Sequence, residues 1–331
     1  MRGAPRGRMI STFRNVAGRS ITPSPSSRHP QPQAARTRHV RLTRESVAHF
    51  AEAGLLALVM AICAFLPVDW ASGCGGYLGR VIGPRLRTSR RAMRNIARAF
   101  PRNDEAENRR ILRGMWDNLG RSLAEYPHLN SICAAGSPRV ELVNACAIAE
   151  LLDDGRPGLV FGGHFCNWEV GPSTVHRLMG SSLLSVYRAA NNPWYDMLMD
   201  TLRPPRTAVS KGASGGRTVI RHLCGGGHVA MLVDQKMNDG IAVPFFGQDA
   251  MTAPAIARLG LRFHCPIVPI RTERLGGARF RFTVLPSIEL ADSGDQAADI
   301  LVTMTRVNAT IERWVRARPE QWLWLHRRWP E

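Results

Sequence analysis

Lysine is almost absent from this chain. Lys211 and Lys236 are the only two in 331 residues, so nearly all of the 44 basic side chains are arginine. Acidic residues are scarce too, 26 in all, which leaves a net charge of +18, and none falls in residues 1–44 or 71–103. Such an imbalance points to an anionic partner: a nucleic acid, an anionic membrane surface, a phosphorylated substrate or an acidic carrier protein. Cys-x-x-Cys pairs are missing as well. The seven cysteines (Cys63, Cys74, Cys133, Cys146, Cys166, Cys224 and Cys265) are scattered and odd in number. That argues against a disulfide framework and a zinc cluster, and suits a reducing compartment. No internal repeat is found.

The acid-free start, 1–44, holds ten arginines with Ser and Pro clusters such as Thr22-Pro23-Ser24-Pro25. It buries too little apolar surface to offset its ordering entropy and reads as a disordered basic tail. Next comes the one long apolar stretch, Gly54 to Val68. That core is short of the ~20 residues a spanning helix needs, but extension back to Val47 reaches the length. Residues 45–70 are therefore expected to form a hydrophobic membrane-anchor helix, with basic residues on both sides and Trp70 at the interface. In 71–103, arginines from Arg80 to Arg98 interleave with Leu78, Val81, Ile82, Met93 and Ile96 at helical spacing. A basic amphipathic helix beside an apolar one suits anionic headgroups, although a solvated basic face has the same pattern. A further helix is expected over 104–130.

From about residue 139 the pattern changes. Strands are expected at 158–161, 183–187, 228–233, 266–270 and 280–284, with helices at 194–203, 214–224, 251–262 and 295–316. Strands alternating with helices imply an α/β domain over 71–331. Its central sheet, mixed or mostly parallel, would be covered by helices.

The first strand-to-helix turn carries the most chemistry. A strand ends at Phe161, Gly162-Gly163 allow a tight turn, His164 follows, and Asn167 can cap a helix whose first turn holds Trp168 and Glu169. Five positions apart, His164 and Glu169 would lie about 140° apart on a continuous helix. At a turn they can converge, as a histidine base whose second ring nitrogen is held by a carboxylate. Cys166 offers a rival Cys–His nucleophile pair. Neighbouring side chains in a turn usually diverge, which disfavours it.

Gly162-Gly163-His164-Phe165-Cys166-Asn167-Trp168-Glu169 resembles the His-x4-Asp/Glu signature of the lysophospholipid acyltransferase superfamily. More specifically it resembles the lipid A biosynthesis late acyltransferases, the lauroyl and myristoyl transferases of Gram-negative bacteria. Further blocks agree in the family's order. They are Tyr187-Arg188 with Asn192-Pro193 and Asp196, then Ser210-Lys211-Gly212, then Asp234-Gln235 leading into Val243-Pro244-Phe245-Phe246-Gly247 with Ala250 and Thr252. The ending Pro319 to Trp329 is similar to the family's terminal segment. The likeness runs from roughly 47 to 331. Cys166 stands where the family usually has a small residue, a glycine expected near Thr252-Ala253-Pro254 is missing, and the basic tail is atypical. Glu169 in place of Asp favours the lipid A branch.

The resemblance implies acyl transfer from an acyl-carrier-protein thioester to a hydroxyl of a lipid A precursor, with no cofactor and no metal. The catalytic residues it implies are His164 as base, Glu169 to orient it, and Arg188 to stabilise an oxyanion or hold an acceptor phosphate. Asn167, Asn192, Lys211, Asp234 and Gln235 would bind substrate. Phe245-Phe246 and Trp322/Trp324 are candidates for an acyl groove. Implied partners are acyl carrier protein, the lipid A precursor and an anionic membrane, at the bacterial inner membrane with the catalytic domain on the cytoplasmic side. The alternatives are a relative acting on a glycerolipid or a mannosylated phosphoinositide, or a nucleic-acid-binding protein. No nucleic-acid recognition motif supports the last.

Overall fold

The computed structural model describes residues 44–153, 155–179, 183–188, 190–203 and 207–329. The basic tail expected over 1–44 lies outside them except for Arg44. Two apolar helices come first, α1 (Arg44–Phe65) and α2 (Val68–Ile82), because Pro67 breaks the stretch expected to be continuous to residue 70. Trp70 thus belongs to α2. The basic stretch is divided again at Pro84, where a 3₁₀ turn, Gly83–Arg85, precedes α3 (Ser89–Ala99). On α3, Ala92, Asn95, Ile96 and Ala99 face the core while Arg90, Arg94 and Arg98 face outward.

Asp104 caps α4 (Glu105–Ala124), its carboxylate accepting from the Glu107 amide. α2 and α4 pack with backbones in contact. A Cβ on Gly79 would stand 2.1 Å from the Trp116 carbonyl oxygen, and one on Gly120 2.1 Å from that of Gly75. Only glycine permits that crossing. The short α5 (Leu129–Ile132) ends the helical portion.

The α/β portion runs β1 (Val140–Val143), α6 (Cys146–Asp153), β2 (Gly158–Gly162), α7 (Val170–Met179), β3 (Leu183–Tyr187), α8 (Pro193–Leu202), β4 (Thr207–Ser210), α9 (Ala213–Cys224) and β5 (His228–Leu232). A hairpin of β6 (Lys236–Phe245) and β7 (Gln248–Thr252) follows, then α10 (Ala255–Phe263), β8 (Ile267–Gly276), β9 (Arg279–Val284) and α11 (Gln296–Ala317). Seven strands form one sheet in the order β1-β9-β8-β2-β5-β3-β4. Every neighbouring pair is parallel except β8–β9. The central strand β2 is buried on both faces, with Val160 packed among Val175, Ala230 and Ile270, and Leu159 and Phe161 in the larger core on the other side. The expected α/β class, with a mostly parallel sheet flanked by helices, is what forms. The helix expected from 251 begins at Ala255, because Met251 and Thr252 pair within β7.

A buried ion pair joins the two portions. Arg274 on β8 grips Glu125, just past α4, through both guanidinium nitrogens, with Nη2 donating to Oε2 at 3.0 Å. The side chains are 7% and 0% exposed. Ser72 on α2 also donates to Glu125, at 2.7 Å, and Arg274 Nε donates to Asn118 at 2.8 Å. Arg274→Leu would leave Glu125 buried without its counter-charge, a change that costs about 3–5 kcal/mol. Urea unfolding of detergent-solubilised protein should register a loss of that size; an unaltered midpoint would mean the pair contributes nothing net.

Candidate active site

β2, β3, β4 and β5 lie side by side and parallel, so their C-terminal ends gather at one edge of the sheet. His164 follows β2, Arg188 follows β3, Lys211 follows β4, and Asp234-Gln235 follow β5. The register Gly162↔Leu232 carries each chain two residues further to His164 and Asp234, which therefore meet.

Asp234 is 1% exposed and accepts three hydrogen bonds. The backbone N–H of His164 donates to Oδ2 at 2.7 Å, His164 Nδ1 to Oδ1 at 2.6 Å, and Trp322 Nε1 to Oδ2 at 2.7 Å. Burial alone would raise this carboxyl's pKa. Its interactions with His164 outweigh burial and hold it well below the usual carboxylate range. An ionised carboxylate only accepts, so Nδ1 carries a proton, and in the neutral form of the ring Nε2 keeps its lone pair. Gly163 must be glycine here, since a Cβ would stand 3.0 Å from Asp234 Oδ2 and 2.9 Å from the Phe165 ring.

The expected His164–Glu169 contact is therefore replaced by His164–Asp234. Glu169, 4% exposed, accepts from Tyr126 Oη at 3.1 Å and from Arg203 Nη2 at 3.0 Å. The cause is local geometry: α7 begins only at Val170, so the turn aims the His164 ring at the end of β5. Asn167 bonds the Glu169 amide at 3.3 Å within that turn. Expected to bind substrate, it is 1% exposed and donates to Glu125 at 3.0 Å, which ties the His164 turn to the buried ion pair. Asn192 also serves structure. It caps α8 through Trp194 and Tyr195 and donates to the His49 carbonyl at 2.9 Å.

A cavity of about 450 Å³ opens beside His164. It is lined by apolar Val160, Pro172, Val175, Val186, Ala230 and Ile270, by buried Glu169, by partly buried His164, Trp168, Arg203 and Gln235, and by exposed Arg188 and Lys211. Arg188 is exposed there, and desolvation lowers the pKa of Lys211, with Arg188 adding and Asp234 opposing. Gln235 Nε2 lies 3.0 Å from His164 Nε2. Of the expected site residues, His164, Glu169, Arg188, Lys211 and Gln235 line this one cavity, and Asp234 stands behind His164.

The aromatic residues proposed for a groove do not line it. Phe245, Phe246, Trp322 and Trp324 are buried and pack edge to face, with Phe245–Phe246 centroids 5.0 Å apart and Trp322–Trp324 4.7 Å apart. The tail that carries the tryptophans pairs with the His164 turn instead. Cys166 N donates to Gln321 O at 2.7 Å and Leu323 N to His164 O at 3.0 Å. Sequence reasoning missed this role for Trp322 and missed His326, Tyr126 and Arg203. The Trp-rich ending that carries His326 was the only signal available. The Cys–His alternative fails: Cys166 is 1% exposed at φ 37°, its Sγ faces the Thr272 carbonyl at 3.4 Å, and burial pushes its thiol up to about 12.

A family model described as bacterial lipid A biosynthesis acyltransferase matches residues 36–331. The chain is 26% identical over 290 residues to a lipid A biosynthesis lauroyltransferase of Escherichia coli (strain K12), a match covering 83% of this chain and 89% of that protein. It is 25% identical over 278 residues to a lipid A biosynthesis myristoyltransferase of the same strain, covering 80% and 83%. A lipid A biosynthesis acyltransferase of Haemophilus influenzae is 22% identical over 282 residues, again covering 80% and 83%.

Two substitutions separate the carboxylates. Asp234→Asn offers Nδ1 an amide in place of an obligate acceptor, so kcat should fall roughly 10³-fold or more, as when a histidine base loses its tautomer. Glu169→Gln leaves the ring's partner intact and should lower kcat far less; the reverse ranking would return the orienting role to Glu169. Folded Asp234 has a depressed pKa, so the stability it contributes is complete above the ordinary carboxylate value and is lost as pH falls below it. Denaturant midpoints of wild type and Asp234→Asn should accordingly begin to draw together as pH falls below about 4 and go on converging toward the depressed folded value.

Proposed function

The chain belongs to the bacterial lipid A biosynthesis acyltransferase family, and from that premise we propose that it moves an acyl group from an acyl-carrier-protein thioester to a hydroxyl of a lipid A precursor, with His164 as general base. One observation carries the mechanism: a histidine whose Nδ1 proton is held by buried Asp234 lines a largely apolar cavity together with Arg188 and Lys211. Nε2 of His164 takes the proton of the acceptor hydroxyl as that oxygen forms its bond to the thioester carbonyl carbon. The carbonyl oxygen gathers negative charge, which Arg188 is placed to offset. The C–S bond then breaks and the imidazolium returns its proton to the leaving thiolate. Atoms and charges balance without an acyl-enzyme or a cofactor.

The acyl chain fits the apolar lining from β2, β5 and α7, and the two exposed cations fit phosphate on the acceptor or on the donor's carrier arm. Glu169, in this reading, keeps Arg203 and Tyr126 in the wall and does not hold the base. A glycerolipid acceptor is the competing reading. The purified full chain should be offered acyl carrier protein loaded with lauroyl or myristoyl groups, together with either a lipid A precursor or a lysophospholipid. Mass spectrometry should find one added acyl group on the lipid A precursor, absent with His164→Ala. Acylation of the lysophospholipid alone would overturn the acceptor, and undiminished transfer by His164→Ala would overturn the base.

We also place the protein on an anionic bilayer, at the cytoplasmic side of the inner membrane, where its seven unpaired cysteines suit the reducing environment. Residues 48–65 of α1 are apolar and long enough to cross a membrane by length and composition. Phe50, Leu55, Leu58, Ile62 and Phe65 on α1, and Trp70, Leu78, Val81 and Ile82 on α2, are exposed. Arg80, Arg85, Arg87 and Arg90 lie close by in the chain and are exposed too. The domain grips α1 at both ends, through Asn192 to the His49 carbonyl and His128 to the Cys63 carbonyl at 2.9 Å. It therefore runs alongside the domain, which favours a helix sunk in one leaflet over an isolated span. Salt should weaken binding to anionic vesicles without abolishing it, because apolar insertion is not screened. Complete release by salt alone would remove the apolar anchor from this account.

A further inference from the structure

Gln235 touches two histidines at once. Its Nε2 lies 3.0 Å from Nε2 of His164 and 3.3 Å from Nε2 of His326. The two rings stand edge to face with centroids 5.0 Å apart. His326 comes from the C-terminal tail and is held from α3, where Asn95 Nδ2 donates to the carbonyls of His326 at 2.7 Å and Trp324 at 2.9 Å. Burial pushes the His326 pKa down to about 3, so it sits in the site as a neutral ring.

The hydrogens can be assigned from these contacts. Asp234 requires a His164 proton on Nδ1, so in the neutral ring Nε2 is a bare acceptor and the Gln235 amide donates to it. The second hydrogen of the same amide points to His326 Nε2, which accepts only if the His326 proton is also on Nδ1. One NH₂ group thus satisfies two imidazole lone pairs. Were the amide reversed, its oxygen would face both lone pairs, and it would pair only with a protonated Nε2.

We propose that His326 is a positioning residue of the transfer: acting through Gln235, it holds the amide nitrogen toward His164 and so keeps Nε2 a bare acceptor until the acceptor hydroxyl displaces the amide. When the hydroxyl arrives, the amide retains its bond to His326, and the base is freed without stranding a buried donor. The proposal rests on His164 as base, so His164→Ala is the control that separates the two ideas.

The test is a double-mutant cycle on the full chain in detergent micelles, with acyl-loaded carrier protein and lipid A precursor. His326→Phe keeps an aromatic edge against His164 and removes the acceptor. It should lower kcat about tenfold, the factor carried by one hydrogen bond of ordinary net strength, while KM for both substrates stays within about twofold of wild type. Gln235→Leu should lower kcat, and adding His326→Phe to it should cost nothing more. His326→Gln, whose Oε1 reaches the place of Nε2, should restore most of the loss. Additive losses, a wild-type kcat for His326→Phe, or a folded His326→Gln no better than Phe would each overturn the proposal. If His326→Phe does not fold, ¹⁵N-imidazole spectra of the wild-type chain still decide. Both rings must carry their proton on Nδ1, and a His326 protonated on Nε2 refutes the assignment. Turnover by His164→Ala would sink the base itself; a dead His164→Ala with a normal His326→Phe would sink only the role of His326.

Discussion

One buried carboxylate fixes the site. Asp234 takes its three hydrogen bonds from two parts of the chain, the turn after β2 and the tail after α11, and itself follows β5. Taking a carboxylate out of water is costly, and the cost is offset only when charged or well-aligned donors surround it. Here the donors are an imidazole, an indole N–H and a backbone amide, all aimed at two oxygens. The same bonds that keep Asp234 ionised also set the ring proton of His164 on Nδ1. Stability and chemical readiness are thus one property of one side chain.

A second buried charge secures the frame on which the first depends. Arg274 and Glu125 join β8 to the end of α4, and Asn167 of the His164 turn bonds the same Glu125. Gln321, at the head of the tail, exchanges two hydrogen bonds of 2.9 Å with the Arg274 backbone. The turn and the tail that meet at Asp234 are therefore also anchored to a shared ion pair. Further along, Arg328 is wholly buried, donates to Met251 O, Thr252 Oγ1 and Asn308 Oδ1, and lies over the Phe245 ring at 4.8 Å. Arg328 and Trp329 are packed as core, and earlier in the same tail Gln321 and Leu323 pair with the turn that carries His164.

Much of the frame was legible in the sequence. The apolar runs behind β2, β3, β5, β8 and β9 stood out, as did α9 and α11, because each pattern is long or bounded by Gly and Pro. β1 and β4 have only four residues each, and β6 opens on Lys236-Met237-Asn238-Asp239-Gly240, which has no strand-like alternation. In the site, His164 and its cavity neighbours could be recognised from motifs. Asp234 as the ring's partner could not be. β2 and β5 are adjacent in the sheet but seventy residues apart in the chain, and strand order is a tertiary fact. Sequence proximity pointed to Glu169, and the start of α7 at Val170 directs it elsewhere.

The place Glu169 does occupy links the cavity to the outer helices. It is held by Tyr126, in the 3₁₀ turn after α4, and by Arg203, at the C-terminal end of α8. These are the elements on which α1 packs, with Met60 buried, Phe50 edge-on to Trp194 at 5.4 Å, and Asn192 bonded to the His49 carbonyl. A tether would need none of these contacts. Because α8 and the Tyr126 turn each carry α1 on one side and Glu169 on the other, the helix with the outward apolar face also buttresses the cavity wall. The exposed apolar surface of α1 and the cavity beside His164 are joined by one short chain of packed side chains.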